Sequence, residues 1–124
     1  MYIGKNLAMK IHNDLIKEFG GETGLRDENI LLDCLIEPAT KYFGQEQYPS
    51  VEEKAAAYLY NIVRLHPFVD GNKRLGYVLA KYFLKENGYD LKIDNEEIVK
   101  FVLDVAKGNK TYKQVLQWMI KYMN

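Results

Sequence analysis

The sequence has one cysteine, Cys34, so neither a disulfide framework nor a cysteine-based zinc site can hold the chain together. It has no surplus of either charge: 17 Lys and Arg stand against 17 Asp and Glu. A nucleic-acid coat or a binder of anionic membranes needs a basic excess, so no direct nucleic-acid binding and no membrane association are expected. No apolar run approaches the roughly 20 residues that cross a bilayer. The opening MYIGKNLAMK has neither the apolar core nor the small-residue cleavage site of a signal peptide, and the expected location is cytoplasmic. Repeats, low-complexity stretches and domain-separating linkers are also missing.

What is present is ordinary globular material, 48% hydrophobic and 27% charged over 124 residues. That length suits one domain, residues 1–124, able to bury roughly two-thirds of its unfolded surface. Its periodicity is helical almost throughout. Leu7, Ala8, Ile11, Leu15 and Phe19 trace one stripe that ends at Gly20-Gly21. Asp27 can cap a second helix carrying Ile30, Leu31, Cys34 and Leu35 inward, which must stop before Pro38. On that face Cys34 reads as a small buried apolar group rather than a nucleophile.

Residues 39–50, ATKYFGQEQYPS, break the pattern with three aromatics, a glycine and a proline, and predict a loop or short hairpin. Ser50 with Glu53 then forms a capping box for a third helix, whose stripe is Ala55, Ala56, Leu59, Ile62 and Val63, with position 66 on the same line. Pro67 ends it. Leu75, Val78, Leu79, Tyr82 and Phe83 line a fourth helix closed by Gly88, and Gly76 within it marks a close approach to a neighbour. Residues 89–93 read as an extended link. Asp94 with Glu97, and Thr111 with Gln114, predict capping boxes for two more helices. The expected fold is all-α, a compact bundle of about six helices with a flap or hairpin at 39–50.

Residues 66–74, HPFVDGNKR, lie between two of these helices. A helix N-terminus beginning near Gly71 offers unpaired N–H groups and the positive end of a dipole to a phosphate. Gly71 allows close backbone approach, while Asn72, Lys73 and Arg74 add donors and charge. Asp70 is placed to hold Mg²⁺ beside bound phosphates, and His66 is the side chain suited to take a proton near neutral pH. Together they suggest phosphoryl or nucleotidyl transfer. The same residues admit a plainer reading, with Asp70 as an N-cap, His66 as a C-terminal cap and Phe68 as a core plug. His12, near the stripe of the first helix, reads as a hydrogen-bonded, partly buried histidine. The ten tyrosines are scattered over many helices, which suits packing rather than stacking on RNA bases.

HPFVDGNKR resembles the central motif of the Fic/Doc superfamily, specifically its Doc (death-on-curing) branch. GGETGLRDENILLDCLIEP, YFGQEQYPSVEEKAA and KYFLKENGY are similar to other parts of Doc-like proteins, so the likeness covers nearly the whole chain. The resemblance implies that His66 takes the proton of a target hydroxyl and that Phe68 anchors the loop. It implies that Asp70 holds Mg²⁺, that the Gly71 backbone and the Asn72 side chain form an anion nest, and that Arg74 binds a terminal phosphate. It implies a target-docking flap bearing Tyr42, Phe43, Gly44 and Tyr48, pairing with an extended segment by strand addition.

Relatives that transfer AMP have glycine where this chain has Lys73, and a second arginine where it has Tyr77. In the Doc branch these departures accompany transfer of the γ-phosphate of ATP to a threonine of elongation factor Tu, which blocks translation. AMP transfer is the alternative, and a non-enzymatic binding module a more distant one. Some Fic proteins restrain themselves with a Ser/Thr-x-x-x-Glu helix. Thr23, Thr40, Ser50 and Thr111 are the only Ser and Thr residues here, and none has Glu four positions on. Restraint is therefore expected from a separate antitoxin protein.

Overall fold

A computed structural model describes residues 2–124. Six helices make up the fold: α1 (Lys5–Phe19), α2 (Glu28–Ile36), α3 (Val51–Leu65), α4 (Asn72–Glu86), α5 (Asn95–Ala106) and α6 (Tyr112–Tyr122). A 3-10 turn, Glu37–Ala39, follows α2. Two short strands, β1 (Lys41–Tyr42) and β2 (Gln45–Glu46), then form an antiparallel hairpin. The all-α expectation holds, and the 39–50 segment is a hairpin. Among the described residues, no helix is long and apolar enough to cross a membrane.

Helix α3 is the hub, packed against α2, α4, α5 and α6. Its reciprocal Ser50–Glu53 capping box sets its start, and Ala55, Ala56, Leu59, Ile62 and Val63 are all fully buried, as their spacing predicts. The closest packing is with α4. A Cβ built on Gly76 would stand 2.6 Å from Val63 Cγ2 and 3.2 Å from the Leu59 carbonyl oxygen, so the glycine is what lets the two helices touch. Asp27 caps α2 by accepting from Ile30 N at 3.1 Å, and Thr111 with Gln114 caps α6.

Two expectations need correction. Phe19 does not continue the buried stripe of α1. The most deeply buried line there is Ala8, His12 and Ile16, one residue over, and the Phe19 ring is 54% exposed. Asp94 makes no side-chain cap for α5. Glu97 instead accepts from Trp118 Nε1 at 2.8 Å, because a buried indole N–H needs a partner more than an exposed helix end does. Residues 89–93 do form a non-helical link, and Leu91 within it makes an antiparallel bridge with Met123, tying the link to the C-terminal tail.

The hairpin sits on the core helix through an unforeseen contact. Lys54 is buried, and its ammonium reaches Glu46 Oε1 at 2.9 Å and the Tyr48 carbonyl. The hairpin turn, Phe43-Gly44, has φ of 51° and 79°, the doubly left-handed pattern of a two-residue turn whose twist matches paired strands.

Gly76→Ala should destabilise the protein by up to about 2 kcal/mol. Overpacking against Val63 costs about 1–3 kcal/mol and exceeds the roughly 1 kcal/mol gained in helix propensity. Urea unfolding checks the sign, which is the reverse of the usual effect of Gly→Ala within a helix.

Candidate active site

The loop between α3 and α4 is built by alternation of buried and exposed residues. Pro67, Phe68 and Asn72 face inward, whereas His66, Val69, Asp70, Lys73 and Arg74 face solvent. Phe68 is the anchor, as the resemblance implies. Its ring stacks on the His12 ring with centroids 3.8 Å apart and planes 12° from parallel. Its backbone bridges to Leu25.

Asn72 closes the loop on itself. Its Oδ1 accepts from Phe68 N at 3.0 Å, and its Nδ2 donates to Phe68 O at 2.9 Å. The side chain therefore serves the loop's own backbone. Exposed donors for an anion are the Lys73 and Arg74 side chains and main-chain N–H groups. Among the described residues, no protein acceptor meets the N–H groups of residues 72–74 at the start of α4. Such a helix start is suited to phosphate.

His12 is buried, and its Nε2 lies 2.8 Å from the Asp70 carbonyl oxygen. Because a carbonyl oxygen can only accept, Nε2 carries a hydrogen and donates there, which agrees with the reading of His12 as a hydrogen-bonded histidine. Gly71, with φ of 80°, is the N-cap of α4, so Asp70 is not. A side chain at Gly71 would meet Ile16 Cδ1 at 3.2 Å and His12 Nε2 at 3.4 Å.

The Asp70 carboxylate accepts from two backbone N–H groups, Glu22 N at 3.1 Å and Gly71 N at 2.8 Å. These bonds, with smaller help from the Lys73 and His12 charges, hold its carboxyl below the usual carboxylate range. It is therefore an anion at neutral pH, with lone pairs still free toward solvent. Among the described residues, no three His, Cys, Asp or Glu side chains converge. One exposed carboxylate fits Mg²⁺, which commonly takes one or two protein carboxylates and completes its shell with phosphates and water.

His66 is the C-cap of α3 and has φ 51°, ψ 62°, the left-handed region. Pro67 does drive it out of the right-handed helix, but not into extended backbone. For a residue other than glycine this conformation costs on the order of 1–3 kcal/mol and persists only where surroundings impose it. Arg26 does so here. Its Nε donates to His66 O at 2.6 Å and its Nη2 to Leu65 O at 2.7 Å. The Arg26 and Asp27 N–H groups both donate to Pro67 O, at 2.8 and 3.0 Å.

Arg74 extends over the Phe19 ring at 4.2 Å from its centroid, which explains why that ring stays outside the core. A cavity of about 540 Å³ opens beside it, between α1, α4 and α5, with Asp70, Gly71, Lys73, Arg74 and Tyr77 among its lining residues. Tyr77, standing where AMP-transferring relatives carry their second arginine, is half-buried in that wall.

The flap residues divide. Tyr42 and Phe43 are exposed at the hairpin tip, with Gly44 in open space beside them. Tyr48 is turned inward, with its hydroxyl on Glu37 Oε1 at 2.9 Å and its ring edge-on to Tyr112. Cys34 is buried, and its thiol is pushed up to about 12 by that burial and by Asp33 and Glu37, so it is inert.

Asp70 also carries a pH signature. A carboxylate whose folded pKa is depressed contributes stability above its unfolded value, near 4, and loses it as pH falls through the folded value. Asp70→Asn removes the charge and keeps only one of the two acceptor oxygens. Its melting temperature should fall below that of the parent protein at pH 7, and the gap should narrow as the pH falls through the depressed folded value. A gap that persists in acid would assign the effect to shape rather than charge.

Residues 2–84 match the Fic/DOC family. Toxin Doc of Mycolicibacterium smegmatis is 41% identical over 76 residues, which are 61% of this chain and 58% of that protein, less than two thirds of its length. Protein kinase doc of Escherichia phage P1 is 26% identical over 114 residues, 92% of this chain and 89% of that protein. The matched span takes in α1 to α3, the anchored loop and nearly all of α4, and on this basis the chain belongs to the Fic/DOC family.

Proposed function

We propose that this protein is a Doc-like toxin, a kinase that transfers the γ-phosphate of ATP to a threonine hydroxyl of a protein target, elongation factor Tu, and so blocks translation. The observation that carries the reading is the 66–74 loop. A histidine, an ionised carboxylate and an open helix N-terminus share one turn, held by Arg26, by the Glu22 and Gly71 N–H groups and by the buried Asn72 amide. Likeness over most of the chain to a protein named as a kinase supports phosphate transfer.

In this reading His66 accepts the proton of the target hydroxyl. The freed oxygen forms a bond to the γ-phosphorus as the bond to the β–γ bridging oxygen breaks, and ADP leaves. The main-chain N–H groups at the start of α4, with Lys73 and Arg74, bind the phosphate oxygens and orient them. Asp70 would hold Mg²⁺ against those phosphates, where the ion would neutralise part of their charge. Lys73 and Tyr77 favour γ over α transfer, since a lysine crowds a nest that glycine leaves open and a tyrosine cannot replace a bidentate guanidinium. The hairpin tip, with Tyr42, Phe43 and Gly44, receives the target segment by strand addition. A separate antitoxin protein restrains the activity in the cytoplasm.

The protein incubated with cell extract and ATP labelled at either the α- or the γ-phosphate should pass only the γ label to a protein band. Transfer of the α label would replace the kinase reading with AMP transfer. His66→Ala should lower the rate by roughly 10²–10⁴-fold with little change in ATP affinity. Full activity in that variant would remove His66 from its role.

Gly44→Pro tests the hairpin separately. A proline ring cannot adopt the φ of 79° that the turn requires. Transfer to protein should fall severalfold or more while ATP binding, measured by calorimetry, stays intact. Equal loss of both would make the hairpin a structural element.

A further inference from the structure

We infer that Arg26 is a positioning residue that sets the backbone of His66, and through it the direction of the imidazole. The inference rests on the proposed reading of His66 as the proton acceptor.

Helices that end in the left-handed region usually do so at a glycine, and following N–H groups satisfy the last carbonyls. Here a histidine is in the left-handed region, and the next residue, Pro67, has no N–H to give. The residue after that, Phe68, spends its N–H on Asn72 Oδ1. The chain therefore cannot cap this end of α3 with its own next two residues. Arg26, 40 positions away in sequence, supplies what is missing with two charge-assisted hydrogen bonds from one planar group, to Leu65 O and His66 O.

The two carbonyls it grips flank the φ and ψ of His66, so the fork fixes the rotation that aims the side chain. Pro67 O is held from the same segment by the Arg26 and Asp27 N–H groups. Without the fork, residue 66 is a non-glycine before a proline, a setting that favours extended backbone. The imidazole would then leave the chain in a different direction. A lysine ammonium is a point donor on a flexible stem with no planar fork, so even when it reaches both carbonyls it does not fix their relative orientation.

The chain has two histidines, His12 and His66, which makes the test direct. Backbone coupling constants that report φ, together with the ring signals of both histidines, are recorded by NMR for the parent protein, Arg26→Met and Arg26→Lys. In Arg26→Met, residue 66 should leave positive φ while the buried His12 keeps its signals; Arg26→Lys should lie between. An unchanged φ at His66, or an equal disturbance of His12, overturns the inference.

Labelled ATP supplies the second arm. Arg26→Met should lower kcat about 10–100-fold with KM for ATP unchanged. It should cause no further loss in a His66→Ala background, because a residue acting through another has nothing left to act on. A raised KM at constant kcat, or an additive loss in the double variant, also overturns it. If the parent protein transfers no phosphate, the kinase reading fails, and the NMR result still decides whether Arg26 sets residue 66.

Discussion

Everything in the site hangs on the burial of Phe68. A nine-residue polar loop cannot hold its own shape in water, since each ordered residue costs about 1–2 kcal/mol of backbone entropy. Phe68 reverses that balance locally by placing one ring in the core, stacked on His12. The Asn72 amide then returns both hydrogen bonds of the Phe68 peptide groups, so burying that backbone leaves no donor or acceptor orphaned. With Phe68 fixed, Asp70 and the first turn of α4 on one side and His66 on the other have only short tethers, and their positions follow.

The same constraint explains why the loop can be both rigid and open. Its inward residues are locked by α1, residues 25–27 and α4, while His66, Asp70, Lys73 and Arg74 reach solvent. The His12–Asp70 O and Arg26–His66 O bonds brace the two halves of the loop from opposite sides. They also give the segment joining α1 to α2 a purpose that its exposure would not suggest.

The helices were legible because their signals are local. Capping at Asp27, Ser50–Glu53 and Thr111–Gln114 depends on residues three apart, and the stripe of α3 depends on period alone. The expectation failed where a distant partner outbid a local rule. Glu97 left its capping geometry for Trp118, and Phe19 stayed outside the core beneath Arg74. Of the site, the motif gave the exposed candidates but not their supports. His12 bonds across 58 positions and Arg26 across 40, and Lys54 meets the hairpin only because β2 folds back over α3. The part played by Arg26 was not legible, since nothing in a sequence reveals that a helix end will lack its own capping donors. Pro67 after a histidine was the one available clue.

The site also joins two helix ends of opposite polarity. The C-terminal end of α3 is electronegative and is met by the guanidinium of Arg26; the N-terminal end of α4 is electropositive and is met by the carboxylate of Asp70. Each end is thus answered by an opposite charge before any ligand arrives, in keeping with a chain of zero net charge. Under the proposed reading this has a consequence for the metal. A phosphate drawn to the start of α4 meets Asp70 as well as the free N–H groups, and two anions at close range repel. The cradle and the carboxylate become compatible when a divalent cation lies between them. A bare anion cradle would have been better served by a neutral residue at position 70, so the acid there is the feature that most favours a metal–nucleotide complex over a simple anion as the ligand of this loop.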